Sequence, residues 1–155
     1  MNYRLYALGD FEQLYAIEQL CFAPELRFSR RYMRDLTRRP NKAAWIAEEN
    51  GQLAGFAVAA WAVRKAGIVA YIETIEVLPE YRSQGAGGEL LRHLESSAIS
   101  ASACTIWLHV DAANADAIRL YQAHGYLCEG SREDFYPGGN AAFIYSKPLL
   151  SRPSL

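Results

Sequence analysis

The stretch Val77-Leu78-Pro79-Glu80-Tyr81-Arg82-Ser83-Gln84-Gly85-Ala86-Gly87-Gly88-Glu89 reads as a strand end, a short polar loop and closely spaced glycines opening a helix. A helix N-terminus offers unpaired N–H groups and the positive end of the macrodipole, and glycines let an anion approach the backbone closely. The stretch is therefore a candidate site for a phosphate, with a pyrophosphate as its natural guest. No Lys-Ser or Lys-Thr follows the glycines, so the P-loop pattern fails. Arg82-x-x-Gly85-x-Gly87 also lacks the spacing of a dinucleotide fingerprint and sits in mid-chain. On its own the pattern describes equally well a tight turn followed by a closely packed helix.

Other side chains could move protons. Asn114 and Tyr121 are two helical turns apart and so share a face. Asn is also a favoured N-cap, and a Tyr three residues after Ile118 is an ordinary core position. Cys104, Ile106, Leu108 and Val110 alternate towards one face of a strand, leaving Trp107 and His109 on the other. A neutral His near pKa 6.5 can accept a proton, directly or through water; the alternative is a structural His hydrogen-bonded within the sheet. Glu73, in mid-strand within an otherwise apolar run, is a competing base, or else a strand-edge carboxylate facing solvent. His93 reads as a polar helix-face residue, and His124 beside Gly125 suits a helix C-terminus.

Taken together, these segments resemble the GNAT superfamily of N-acetyltransferases. Its acetyl-CoA motif is Arg/Gln-x-x-Gly-x-Gly/Ala after a strand ending in Val, often with Pro two residues later, as at Val77, Pro79, Arg82, Gly85 and Gly87. The block from Trp107 to Tyr126 is similar to the family's strand, Asn-led helix with a Tyr seven residues on, and Gly-aromatic ending. Arg132-Glu133-Asp134-Phe135-Tyr136-Pro137, followed by Ser146-Lys147-Pro148-Leu149, is similar to the bacterial ribosomal-protein-alanine N-acetyltransferases within it.

The resemblance implies an α/β fold with a mixed, mostly antiparallel central sheet of six to seven strands and about four flanking helices. It implies acetyl-CoA as co-substrate and no metal. Amides of Arg82, Ser83, Gln84, Gly85, Ala86, Gly87 and Gly88 would hold the CoA pyrophosphate, and Ile75, Glu76 and Val77 would pair strand-like with the pantetheine arm. The Val77 amide would face the thioester oxygen, Asn114 the pantetheine, and Tyr121 the CoA sulfur as acid. The chain departs from the ribosomal-alanine enzymes five residues before Asn114, where their Glu is replaced by His109.

A weak base suffices for some acceptors. Freeing an α-amine with pKa near 8 at neutral pH costs roughly 1 kcal/mol, against about 4.5 for a lysine ε-amine. The acceptor is expected to be the α-amine of a protein or peptide, with a small-molecule amine and a non-catalytic acyl-CoA-binding module as alternatives. Its walls are expected from the loop around Phe22 to Ser29 and from Phe135 to Gly139, with Phe28 and Tyr136 lining an apolar slot. The same aromatics could instead simply close the sheet edge.

The elements that must position these groups follow from periodicity. Strands are expected at 2–8, 43–49, 52–63, 68–77, 104–111, 126–134 and 141–147, and helices at 10–22, 29–38, 85–100 and 114–124. Turns fall at Asn50-Gly51 and near Ala66-Gly67. Gly87, Leu90, Leu91, Leu94 and Ala98 form the buried stripe of the third helix. With 155 residues, 51% of them hydrophobic, the chain suits one domain spanning 1–155, ending in a frayed tail from Ser151 to Leu155. The first ten residues lack a signal-peptide core and no stretch approaches a membrane span, so a soluble cytoplasmic protein is expected. Cys21, Cys104 and Cys128 show no CxxC spacing and read as small buried hydrophobes. A net charge of −1 argues against a general nucleic-acid binder. Arg27, Arg31, Arg34 and Arg38 nevertheless fall on one helical face, either solvated, facing an acidic substrate or a ribosome, or binding a specific RNA.

Overall fold

The computed structural model describes residues 1–149, and the expected tail from Ser151 lies outside them. Seven strands form one sheet: β1 (Asn2–Leu5), β2 (Lys42–Glu49), β3 (Gln52–Arg64), β4 (Gly67–Val77), β5 (Ala103–Asp111), β6 (Leu127–Arg132) and β7 (Ala142–Pro148). Their order is β1-β2-β3-β4-β5-β7-β6. Every neighbouring pair is antiparallel except β4 and β5, whose parallel pairing requires a crossover. That crossover is α3 (Ala86–Ser100); α1 (Phe11–Cys21) and α2 (Arg30–Arg38) precede the second strand, and α4 (Ala115–Ala123) joins β5 to β6. The fold is the mixed α/β arrangement that the resemblance implied.

Each face of the sheet has its own core. Leu90, Leu91, Leu94 and Ala98 of α3 pack on Ala57, Ala59, Ile72, Ile106 and Leu108, while Leu14, Ile17, Met33 and Leu36 of α1 and α2 pack on Ile46, Phe56 and Val58. Burying each such Leu or Ile fully is worth about 1.5–3 kcal/mol. The site forms where the sheet between these cores comes apart.

Two irregularities part it. Ala59 pairs with Ile72 but Val58 with Thr74, so Glu73 is the extra residue of a bulge. A bulge reverses the alternation: Ala70 and Ile72 face α3 before it, whereas Ile75 and Val77 face that side after it and Thr74 and Glu76 turn towards α1. The ladder from β4 to β5 also stops at Tyr71 opposite Trp107, although the strands run on to Val77 and Asp111. Beyond that point they leave a gap.

Several local expectations are corrected. The first strand ends at Leu5 because the Asp10 carboxylate takes the Ala7 amide at 2.8 Å and the Arg4 guanidinium, tightening the chain into a 3₁₀ turn. Prolines at the first helical position start unforeseen 3₁₀ turns at Pro24–Leu26 and Pro79–Tyr81. Arg27 lies outside α2, with its Nε on the Phe22 carbonyl. Arg30 pairs with Glu12, and Arg34 stacks over Phe11 at 4.2 Å, while Arg31 and Arg38 stay exposed, with no ion pair among the described residues. Cys128 is exposed on the edge strand β6, and Cys21 and Cys104 are only half-buried. His93 is no free polar residue: its ring stacks on Trp45 at 4.2 Å.

Candidate active site

At one end of the gap stands the start of α3. Gly85, its N-cap, has φ +85°, a left-handed conformation that glycine adopts without penalty, and Ser83 before it has φ +63°. No side chain caps the helix, and its first backbone bond runs from Glu89 N to Gly85 O, so the amides of Ala86, Gly87 and Gly88 are left to an anion. The glycines that follow Gly85 have a second cause that the sequence did not disclose. A Cβ on Gly88 would lie 3.1 Å from the His124 imidazole, and one on Gly87 would lie 3.4 Å from Leu120, so α4 packs directly on the first turn of α3. Arg82 pins the loop by donating Nε to the Val77 carbonyl at 2.8 Å.

Along the gap runs the unpaired edge of β4. Leu78 N–H donates to Ala54 O across β3, and amides of an antiparallel ladder alternate in direction. Glu76 therefore also bonds to β3, while the N–H groups of Ile75 and Val77 point into the gap. Asn114 lies by the start of α4, where its Oδ1 accepts the Ala117 amide at 3.2 Å and its Nδ2 stays available. The capping role and a ligand contact are thus compatible in one side chain.

Tyr121 reaches the gap from α4. It is buried against Tyr126, ring centroids 5.6 Å apart in an edge-to-face arrangement. Its hydroxyl has no hydrogen-bond partner among the described residues. Burial raises its pKa, and the Tyr136 and Tyr71 hydroxyls across the gap raise it further.

On the opposite face, His109 and Trp107 lie together as the alternation of β5 predicts, with Ile106, Leu108 and Val110 buried on the α3 side. Tyr71 is the candidate that sequence reasoning missed: its hydroxyl lies 2.8 Å from His109 Nδ1. Only the parallel register that sets Tyr71 opposite Trp107 brings them together. The His109 ring stacks on Phe135 at 4.3 Å, its Nε2 is buried without a partner among the described residues, and burial lowers its pKa, with Arg132 nearby adding to the effect. The imidazole is therefore neutral at neutral pH.

Glu73 belongs to a central strand, so the reading of a solvent-facing edge carboxylate does not hold. Its Oε1 accepts from Arg39 at 2.8 Å and its Oε2 from the Tyr32 hydroxyl at 3.0 Å. Phe28 packs on Tyr32 with centroids 4.7 Å apart, and Tyr136 stands edge-on to Phe135 at 4.9 Å. Burial pushes the Tyr136 pKa up to about 12. A hollow of about 540 Å³ opens beside this aromatic row, lined by Arg39, Ala60, Val69, Tyr71, Glu73 and Trp107.

A free strand edge that leads to an uncapped helix start suits an extended carrier ending in phosphate, and the proton-handling groups midway along it suit acyl transfer. The class is that of acyl-CoA-dependent acyltransferases. Residues 11–126 match the acetyltransferase (GNAT) family, and the chain belongs to it, an N-acetyltransferase with acetyl-CoA as co-substrate. It is 35% identical over 104 residues to the ribosomal protein bS18-alanine N-acetyltransferase of Escherichia coli K12, spanning 65% of this chain and 68% of that enzyme. The crystal structure of the Escherichia coli ribosomal-protein-S18-alanine N-acetyltransferase superposes with a TM-score of 0.83 at 28% identity, over 98% of this chain and 96% of the other. Arabidopsis thaliana NAA60 in complex with acetyl-CoA shares the fold, with a TM-score of 0.85 at 21% identity over 96% of this chain and 98% of that one. Among the described residues no helix is long and apolar enough to cross a membrane.

Proposed function

We propose that this chain, acting as a single cytoplasmic domain, acetylates the α-amine of a protein or peptide N-terminus by direct attack on the thioester of acetyl-CoA. The observation that carries the reading is the Tyr71–His109 pair at the mouth of the gap, opposite Tyr121 and between the aromatic walls Phe28 and Tyr136. The Escherichia coli relative, named for an alanine of ribosomal protein bS18, supports the choice of acceptor.

In this reading the amides from Ser83 to Gly88 take the pyrophosphate, the Arg82 amide being donated to Pro79 O, and the N–H groups of Ile75 and Val77 take the pantetheine arm, that of Glu76 having turned to β3, while Asn114 Nδ2 reaches the same arm. Val77 N–H stabilises the developing oxyanion. The amine passes its proton, directly or through water, to the Tyr71 oxygen as the Tyr71 hydroxyl proton moves to His109 Nδ1. Tyr121 donates a hydrogen bond to the departing sulfur. Glu73, engaged by Arg39 and Tyr32, serves better as an anchor of the acceptor wall than as the base.

An acceptor panel tests the reading. Peptides with free N-termini should release CoA steadily, while the same peptides with blocked N-termini and small amines should not. Turnover on small amines alone would reassign the acceptor, and acetyl-CoA binding with no turnover on any amine would leave only a binding module.

Two variants sharpen it. His109→Gln should lower kcat by about 100-fold, within the range of general-base contributions. The base must be neutral to act and its pKa is lowered, so the wild-type acid limb of kcat should fall below about pH 6.5 and disappear in the variant. A variant retaining that limb would remove His109 from the proton path. Tyr136→Ala should raise KM for the amine acceptor about tenfold while leaving acetyl-CoA affinity intact, as expected of an apolar wall worth about 1.5 kcal/mol. Unchanged acceptor kinetics would take this loop out of the slot.

A further inference from the structure

Two carboxyls that the proposed reaction does not use are buried together beneath the acceptor loop. Glu18 of α1 is 1% exposed and the Glu76 side chain of β4 is in a residue 3% exposed. Glu18 Oε2 accepts the Phe28 amide at 3.0 Å, and Glu76 Oε2 accepts the Thr74 hydroxyl at 2.7 Å. The remaining oxygen of each, Oε1 in both, is buried without a hydrogen-bond partner among the described residues.

The surroundings supply no countercharge. From β3 the residue paired with Glu76 is Phe56; from α1 come Glu18 and the Cys21 thiol, whose pKa burial raises. Arg82 reaches only the Val77 carbonyl and Cys21 Sγ. Among the described residues neither carboxyl makes an ion pair. Two buried carboxylates cannot both stay ionised under these conditions, because each unpaired ion costs several kcal/mol and they repel one another. Burial, and then the neighbouring Glu18, push the Glu76 carboxyl well above the usual carboxylate range.

We propose that Glu18 and Glu76 share one proton, and that this singly charged pair positions the acceptor slot by letting Glu18 hold the Phe28 amide against the strand that carries Val77. The shared proton gives both orphaned oxygens a partner at once. The pair joins the two halves of the reaction: Glu18 grips the loop whose Phe28 walls the amine, and Glu76 lies next to the residue that faces the thioester. The inference rests on the reading of Phe28 as an acceptor wall. The sign of the pH effect follows. The folded protein keeps a proton that the unfolded chain releases above about pH 4.3, so the pair's contribution to stability is complete below that pH. It is lost as pH rises through the raised value, and the loop loosens with it.

The test needs no catalysis. Infrared spectra at neutral pH should show the carbonyl stretch of a protonated carboxylic acid in the wild type and not in Glu76→Gln; a wild type without it overturns the proposal. Glu18→Met keeps the volume but cannot accept a hydrogen bond. It should speed hydrogen exchange of the Phe28 amide about tenfold and raise acceptor KM by a similar factor with acetyl-CoA KM unchanged, the loss expected for one hydrogen bond. Glu18→Gln, which still offers an oxygen, should restore slow exchange. Equal Phe28 exchange in Glu18→Met and wild type overturns the positioning role. Should Glu18→Met not fold, the wild type followed from pH 6 to 10 must lose the infrared band and Phe28 protection together; loss of one without the other overturns the proposal. Slow exchange and the band in a protein that acetylates no peptide support the shared proton and overturn the acceptor reading.

Discussion

Glu at position 87 is expected to abolish acetyl-CoA binding in a protein that remains folded. The Gly87 Cβ position meets only the end of Leu120, at 3.4 Å, and its backbone is helical. A carboxylate in the first turn even favours the helix by about 0.3–1 kcal/mol through the macrodipole. The same charge stands in the turn whose amides would hold the pyrophosphate. At 4 Å and an effective dielectric of 20, like charges repel by about 4 kcal/mol, roughly a thousandfold in Kd. Calorimetry on Gly87→Glu, with circular dichroism as the folding check, measures this directly, and wild-type affinity would remove the helix start from the cofactor site. Gly85 is the poorer position for the test because its φ of +85° strains any other side chain, so lost binding there would mix backbone with charge.

That contrast shows how far the glycine motif could be read from sequence. The reading of a phosphate site used the pattern as a whole, but the three glycines have separate causes: a left-handed cap at Gly85, a close helix at Gly88, and contact with Leu120 at Gly87. The last two depend on how α4 lies on α3, which no local pattern encodes. Periodicity did carry the elements themselves. The alternation of Ile106, Leu108 and Val110 put His109 on the correct face, and Asn50-Gly51 marked the hairpin through the left-handed backbone both residues adopt.

The losses cluster around the bulge at Glu73. A strict two-residue alternation through β4 would put Tyr71, Glu73, Ile75 and Val77 on one face. The extra residue breaks that series, sends Glu76 into the α1 core and leaves Ile75 and Val77 on the other side. The sequence suggests Glu76 as a backbone position beside the cofactor, whereas in the fold its backbone turns to β3 and its side chain to α1. Tyr71 was missed for a related reason: its partner His109 is 38 residues away and meets it only through the parallel register. Glu73 looked like a base because an isolated carboxylate in an apolar run suggests one, whereas Arg39 and Tyr32, which occupy it, come from α2 and the segment after it.

Removing the Tyr121 hydroxyl is expected to lower kcat by about 10- to 100-fold, the value of a hydrogen bond to a developing charge, with KM for acetyl-CoA unchanged. Tyr121→Phe keeps the ring edge-on to Tyr126 and removes a hydroxyl that bonds to no described residue, so the fold loses nothing with it. The direction of the pKa shift decides what that hydroxyl can do. Full proton transfer from an ordinary Tyr to an alkyl thiolate is already uphill by about 2 kcal/mol, and burial with Tyr136 and Tyr71 nearby raises Tyr121 further. In the proposed mechanism the phenol is thus a donor that stays protonated while charge builds on sulfur. It follows that no alkaline fall in kcat from Tyr121 should appear up to about pH 10, where an unperturbed Tyr is already half ionised. A Tyr121→Phe enzyme with unaltered kcat would show the residue to be core packing alone. A wild-type profile that falls below pH 10 and flattens in the variant would instead mean that the phenol ionises within the working range, contrary to its burial.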